Sequence, residues 1–301
     1  MEVIQAFHQH LVEDGIAPKT IESYVGDVRA FAGFLAEMGV SNIAELKRFY
    51  VSSYKNHLVE KKYAIATINK KINSLQSFSQ FLIHCKLTAE QVVHLRKDRI
   101  KVAAGSEGEV EVFTEQEVNQ LLFFVQNRSK ASLRNHLIVW LLLYTGVRVS
   151  ELCGIQLCDL DYLTNTLRVT GKGGKYREVP LRPDLVDLIK EYIRTERQEN
   201  KHRDSPYLLL SQRSEKLHKD AINTLLEGIE KQLGFDIYPH KFRHTFCTRL
   251  LNKGVPLTTV SKLAGHAHIQ TTAHYYSTRV KKKRKKQSAY CRQAEGIIKF
   301  I

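Results

Sequence analysis

Tyr275 closes the stretch Thr271-Thr272-Ala273-His274-Tyr275, nine residues past His266, in a segment crowded with imidazole and cationic groups. Upstream stand Arg148 behind Gly146, Lys172 inside Gly171-Lys172-Gly173-Gly174-Lys175, and His240 with Arg243 three residues on. Together these types suit one reaction, exchange at a phosphodiester. Such a bond resists attack because its anionic oxygens repel a nucleophile and an alkoxide leaves poorly. Fixed positive donors on the non-bridging oxygens, with a proton for the leaving oxygen, overcome both obstacles without a metal. Guanidinium suits the first task, being planar, permanently charged and bidentate, so Arg148 and Arg243 are the candidates. Lys172, on a glycine-rich turn, can protonate a leaving 5′ oxygen. His240 and His266 can donate to phosphate or handle the tyrosine proton. Tyr275 can form a covalent link that splits a hard exchange into two steps. The expectation is that these groups gather round one DNA phosphate, which Tyr275 attacks.

Each residue alone has a plainer use. An Arg after a Gly usually makes a surface salt bridge, and a Lys in a Gly-rich turn is usually just solvated. His240 and His244 are spaced like a metal pair, but the Glu of HExxH is missing. His266 and His268 have no Cys or carboxylate cluster to complete a site. No metal and no cofactor are therefore expected; the weight lies in the order and spacing of the whole set.

The chain that must position these groups has 301 residues and a formal charge of +15, which points to a polyanionic partner. That charge is unevenly placed. Residues 1–95 hold 10 Lys/Arg against 9 Asp/Glu, whereas residues 279–301 hold 9 against 1. Five scattered cysteines and a start, Met1-Glu2-Val3, without a basic run before an apolar one predict reduced thiols and a cytoplasmic, nucleoid-associated location. The longest apolar run, Leu137 to Tyr144, is too short to cross a bilayer, so no membrane is expected.

Apolar periodicity predicts four helices in a small bundle over residues 1–95, the last spanning about 64–85. Its aromatic stripe reads as core rather than as a base-stacking surface. Residues 96–112 change character: Arg96, Lys97, Arg99 and Lys101 make a basic strap, and a small, polar, flexible piece follows. This predicts a linker lying along DNA. Thr114 with Glu117 then opens a second domain, 113–280, on a capping box. Helices are expected at about 115–127, 132–144, 183–200, 218–233 and 256–264. Gly146 should break the second of these and set Arg148 at the next helix start. Thr166–Thr170 and Tyr176–Leu181 read as a hairpin whose tip carries Lys172 and Lys175. Tyr207–Leu210 also reads as a strand. His240 and Arg243 share a helix face. Residues 281–301 form a basic tail. The fold class expected is thus mainly α, a four-helix domain followed by a mixed α/β domain with a small antiparallel sheet.

Five motifs together resemble the tyrosine recombinase, or phage integrase, family, most nearly its short Xer-like members. They are Thr145-Gly146-Val147-Arg148-Val149-Ser150-Glu151-Leu152, Gly171-Lys172-Gly173, His240-Lys241-Phe242-Arg243-His244, Leu263-Ala264-Gly265-His266 and Thr271-Thr272-Ala273-His274-Tyr275. The specific likeness covers about 113–280; residues 1–95 resemble the family's SAM-like core-binding domain in size and pattern. The resemblance implies that Arg148 and Arg243 hold the scissile phosphate, and that Lys172 is the general acid. It makes His240 a proton acceptor or donor, His266 a phosphate ligand and Glu151 a supporting acid. Tyr275 would leave a 3′-phosphotyrosyl bond, with neither metal nor ATP.

The resemblance further implies duplex DNA as partner, a homotetramer on two recombination sites, and a C-terminal segment docked on a neighbour. Ile297, Ile298, Phe300 and Ile301 are the expected anchors for that docking; accessory DNA sites or proteins remain open. Phe242 stands where the family usually has Leu, a change expected to alter packing alone. Tyr276 follows Tyr275 directly, but the box spacing favours Tyr275. The competing functions are type IB topoisomerase-like relaxation, a non-catalytic DNA-binding accessory protein and a metal-dependent nuclease. Within the recombinase reading, dimer resolution, cointegrate resolution by a transposon, and integration or excision of a mobile element are all open.

Overall fold

The computed structural model describes residues 2–44, 46–101, 110–171 and 174–273. The chain divides into two compact units, Met1–Gly108 and Glu109–Ile301. Helices dominate both, and the sheet among the described residues has three short antiparallel strands. The mainly α class with a small antiparallel sheet is borne out.

The first unit contains α1 (Glu2–Glu13), α2 (Pro18–Glu37), α3 (Arg48–Glu60), α4 (Ile65–His84) and a single turn, α5 (Leu95–Asp98). The aromatic stripe turns inward: Phe7, Phe31 and Phe78 are fully buried, with Phe7 edge-on to Phe78 at 5.2 Å between ring centroids. Each such side chain contributes about 1.5–3 kcal/mol of transfer free energy. Three polar ties supplement the apolar core. Asp27 of α2 is buried against α4, where it accepts from Ser74 Oγ at 2.8 Å and pairs with Lys70 and Lys71. Burial would raise its pKa, but these donors outweigh burial and hold it below the usual carboxylate range. Arg48 forks onto the carboxylate of buried Asp98. Asn69 of α4 grips Ile100 from both sides, donating to its carbonyl at 3.0 Å and accepting from its N–H at 2.8 Å. The basic segment is therefore fastened to α3 and α4 through Asp98 and Ile100, while Arg96, Lys97, Arg99 and Lys101 are exposed.

The second unit opens with α6 (Glu115–Gln126), whose capping box is complete: Glu117 N–H donates to Thr114 Oγ1 and Thr114 N–H to the Glu117 carboxylate. Next come α7 (Leu133–Thr145) and α8 (Val149–Gly154), then β1 (Leu160–Asp161), β2 (Thr166–Thr170) and β3 (Tyr176–Pro180). The remaining helices are α9 (Pro183–Arg194), α10 (Lys219–Leu233), α11 (Pro239–Asn252) and α12 (Leu257–Ala264). Helix α7 is almost wholly buried at the centre of the core. It carries Trp140, which meets His136 edge-on at 5.0 Å between ring centroids. Strand order is β1-β2-β3, with Val169 opposite Arg177 and Leu167 opposite Val179. Period-2 alternation thus puts Arg177 on the buried face with Val179.

Two expectations need correcting. The helix begun at Pro183 stops at Arg194, not near 200, because buried Arg197 gathers the carbonyls of Arg203, Ser205 and Tyr207 and so turns the chain. Tyr207–Leu210 is not a strand: its one bridge joins Tyr207 to Gln156, and Leu208, Leu209 and Leu210 are simply core. Phe242 behaves as an apolar replacement should. It is fully buried and packs edge-on to Phe113 at 5.0 Å between centroids.

Candidate active site

Helix α7 ends at Gly146, which has a φ of 61°. A Cβ there would lie 2.3 Å from Phe246 Cδ1, so both conformation and space require glycine. The turn makes Arg148 the N-cap of α8. Glu151, three residues on, folds back: Oε2 accepts from Arg148 N–H and Oε1 from Arg148 Nη1, both at 2.8 Å. The same carboxylate receives Arg177 as a fork, Nη1 to Oε1 at 3.1 Å and Nη2 to Oε2 at 2.8 Å. The Glu151 side chain is only 4% exposed. Burial would push its pKa up, but the hydrogen bonds from Arg177 and Arg148 prevail and keep it ionised below the usual range.

Helix α12 supplies the opposite wall. It ends at Gly265, φ 64°, with His266 N–H reaching back to Ser261 carbonyl and Gly265 N–H to Lys262 carbonyl. This is the Schellman pattern, which satisfies two terminal carbonyls locally. The next three carbonyls go to three different arginines. Leu263 O accepts from Arg177 Nε at 2.7 Å, Ala264 O from Arg243 Nη2, and Gly265 O from Arg148 Nη2 at 2.9 Å. The partly negative C-terminal end of the helix is thus where the guanidinium groups converge. Arg243 also donates to Gly146 O at 2.7 Å, which ties the α7 break to the α12 end.

His240 and Arg243 lie one turn apart on α11, which Pro239 starts. Arg243 is 3% exposed. Burial, then Arg148, lowers its pKa to about 10, and it remains a cation at neutral pH. Burial and the charges of Arg243 and Arg148 also lower the pKa of His240. The same causes, in the same order, bring His266 down to about 4. Both imidazoles are therefore neutral near pH 7 and able to accept a proton. His266 Nδ1 lies 2.7 Å from the hydroxyl of fully buried Thr272, which links the turn after α12 to the segment leading toward Tyr275.

Arg148, Glu151, Gly171, Lys175, Arg177, Gly265 and His266 line one open cleft of about 1160 Å³. Two guanidinium groups line it with one carboxylate, and the buried Arg243 adds a third cation through its bonds to Gly146 O and Ala264 O, so the cluster has excess positive charge that an anion would balance. The structure brings together Arg148, His240, Arg243, His266 and the supporting Glu151. Lys175 sits at the cleft edge, where its carbonyl accepts from Gly171 N–H at 2.7 Å. Arg96, Lys97, Arg99 and Lys101 belong to the other unit. Lys172, Tyr275, Tyr276, the basic run Lys281–Lys286 and the anchors Ile297, Ile298, Phe300 and Ile301 lie outside the described residues. So do Ala104–Gly108 of the expected linker. Among the described residues no group of three His, Cys, Asp or Glu could hold a metal, and no helix is long and apolar enough to cross a membrane. Sequence reasoning missed Arg177 and the contact made by Thr272. The signal for Arg177 was available: it shares the inner face of β3 with Val179.

Comparison with known proteins gives the same reading. The phage integrase family profile matches residues 111–282, and the profile of the phage integrase N-terminal SAM-like domain matches residues 4–86. The TnP I resolvase of Bacillus thuringiensis is 31% identical over 91% of this chain and 95% of its own length. The tyrosine recombinase XerC of Halalkalibacterium halodurans is 34% identical over 90% of this chain and 91% of its own. Among solved structures, the XerH site-specific recombinase bound to palindromic difH substrate aligns with a TM-score of 0.73 at 20% identity, covering 91% of this chain and 80% of that one. The Tn1549 transposon integrase in complex with a circular intermediate DNA aligns with a TM-score of 0.69 at 21% identity, covering 94% and 98%. At those identities the likeness is one of fold. Two domain profiles in the expected order, with relatives matching along nearly the whole chain, establish that this protein belongs to the phage integrase family and is a tyrosine-type site-specific recombinase that cleaves and rejoins DNA.

Proposed function

We propose that Tyr275 is the nucleophile of a recombinase acting on duplex DNA, and that Arg148 and Arg243 hold the scissile phosphate. The observation carrying this is the fate of Arg243: a buried cation beside a second cation, whose partners are carbonyls rather than a carboxylate. A phosphate oxyanion supplies the missing counter-charge. In the first step Tyr275 Oη attacks phosphorus and the bond to the 5′ oxygen breaks. Lys172 gives that oxygen a proton, and neutral His240 takes the phenol proton. His266 donates to the phosphate, while Glu151 aims Arg148. The second step is the reverse, with a 5′ hydroxyl from another strand, so the bond energy stays in the 3′-phosphotyrosyl link and no metal or ATP is used.

Four exposed cations, Arg96, Lys97, Arg99 and Lys101, on a fastened backbone suit contact with the DNA backbone, as does Lys175 at the cleft edge. The domain organisation proposed is a core-binding domain over 1–95, a linker over 96–112, a catalytic domain over 113–280 and a tail over 281–301. Four protomers act on two sites, the tail docking on a neighbour, with accessory DNA or proteins as needed. Full-length similarity to a resolvase and to XerC proteins favours resolution of joined DNA over integration. The topoisomerase and accessory-protein readings are not favoured by these relatives.

The test uses a nicked suicide duplex built on the sequence that the purified protein selects from a randomised pool. Wild type should form a covalent adduct in excess chelator, and Tyr275→Phe should form none. Loss of the adduct in Tyr276→Phe instead would overturn the assignment.

A further inference from the structure

We propose that Arg177 is a positioning residue for strand cleavage: it ties the Glu151 carboxylate to the C-terminal turn of α12, so that Arg148 and the turn bearing His266 keep one relative placement. This rests on the reading of Arg148 and His266 as phosphate ligands.

Arg177 uses all three guanidinium nitrogens on protein acceptors, Nη1 and Nη2 on Glu151 and Nε on Leu263 O. Its side chain is 13% exposed, against 38% for Arg148. It is therefore a holder rather than a second clamp. One planar group joins three elements distant in sequence: β3, which carries it; α8, through Glu151; and α12, through Leu263. It also packs so closely on Gly265 that a Cβ there would lie 2.8 Å from Nη1. The site tolerates no bulk between the fork and the turn that presents His266.

The fork has an electrostatic effect too. Each Glu151 oxygen accepts two hydrogen bonds, one from Arg148 and one from Arg177. With Arg177 absent, the whole carboxylate charge would fall on Arg148. An arginine neutralised by its own neighbour binds a phosphate oxyanion less well. Arg177 shares that charge and leaves Arg148 with attraction to spare. An ammonium in its place would restore the charge but could not reach two carboxylate oxygens and a carbonyl in one plane.

The experiment compares Arg177→Lys, Arg177→Gln and wild type in single-turnover cleavage of the suicide duplex at saturating protein, alongside DNA affinity and Tm. Cleavage should slow roughly 10–100-fold, the scale known for losing a hydrogen-bond partner that orients a metal-binding side chain. DNA affinity should stay within about threefold of wild type, because Arg148 is one phosphate contact among many along a duplex and the others are untouched. Arg177→Lys should keep most of the Tm and still cleave slowly. In an Arg148→Lys background, Arg177→Gln should cost little more, since the group it positions is already gone. Wild-type cleavage rates in Arg177→Lys, or fully additive losses with Arg148→Lys, would overturn the proposal. Should Arg177→Gln not fold, Arg177→Lys alone decides. Adducts that persist in Tyr275→Phe refute the nucleophile assignment, yet the rate of Arg177→Lys still reads the positioning role. Wild-type protein that forms no adduct overturns both.

Discussion

Replacing Glu151 by glutamine is the most informative single perturbation of the site. The two side chains are nearly isosteric, so the change removes charge and one acceptor without opening a cavity. In the wild type the two carboxylate oxygens accept four hydrogen bonds, at 2.8, 2.8, 3.1 and 2.8 Å. An amide keeps one oxygen and presents an NH2 where the other stood, facing two N–H donors. Two charge-assisted bonds are lost, each contributing about 1.5–3 kcal/mol. The expected destabilisation of the second unit is therefore about 3–6 kcal/mol, matching the usual cost of breaking a buried ion pair from one side. For a unit of about 150–250 residues this lowers Tm by roughly 6–24 °C. The sign of the pH dependence follows from the depressed pKa of Glu151. Its stabilisation is fully present above the unfolded glutamate value of about 4.3 and is lost as pH falls through the lower folded value. The gap between wild type and Glu151→Gln, measured by thermal melts, should thus be full at pH 7 and close in acid. A Tm within about 2 °C of wild type at pH 7 would refute the idea that this carboxylate organises the arginines.

Gly146→Ala must place a methyl against Phe246 at positive φ, and should cost about 2–4 kcal/mol in urea unfolding; an unchanged midpoint would contradict the close approach. His136 and His266 are each pushed down to about 4, chiefly by burial. Below the ordinary value of about 6.5 the unfolded chain takes up protons that the native state refuses, so stability should fall between about pH 6.5 and 4; a flat urea midpoint across that window would count against it. Arg48→Ala takes the guanidinium fork from the buried Asp98 carboxylate, leaving it the His94 N–H at 2.7 Å, and should destabilise the first unit by about 3 kcal/mol, read as an earlier thermal transition. An unshifted transition would show that water reaches Asp98.

Local chemistry was legible where it is written in neighbouring residues. The Thr114–Glu117 capping box, the Gly146 break before Arg148 and the hairpin around Gly171–Lys175 are short-range patterns, and each stands where its residues predict. The one-turn spacing of His240 and Arg243 was equally local. Strand β1 was not legible, because Leu160 and Asp161 pair only through the partner strand and two residues carry no period. The apolar run Tyr207–Leu210 misled for the converse reason: burial alone does not say whether a backbone finds a ladder. Arg177 escaped notice because its partners, Glu151 and Leu263, lie 26 and 86 residues away. Alternation places it on an inner face, but only the folded chain shows that the inner face there is lined with a carboxylate and a helix end.

The chain's single tryptophan gives this molecule a built-in optical probe. Trp140 is buried in α7, in the second unit, with His136 edge-on beside its indole ring. Intrinsic fluorescence excited at the indole therefore monitors one unit and is blind to the other, so melting of the two can be followed separately by pairing emission with circular dichroism. An imidazolium quenches indole emission and a neutral imidazole does so far less. The glow of the native protein should thus hold steady through neutral pH and dim only in acid, which makes its colour and brightness a direct readout of whether that interior stays dry.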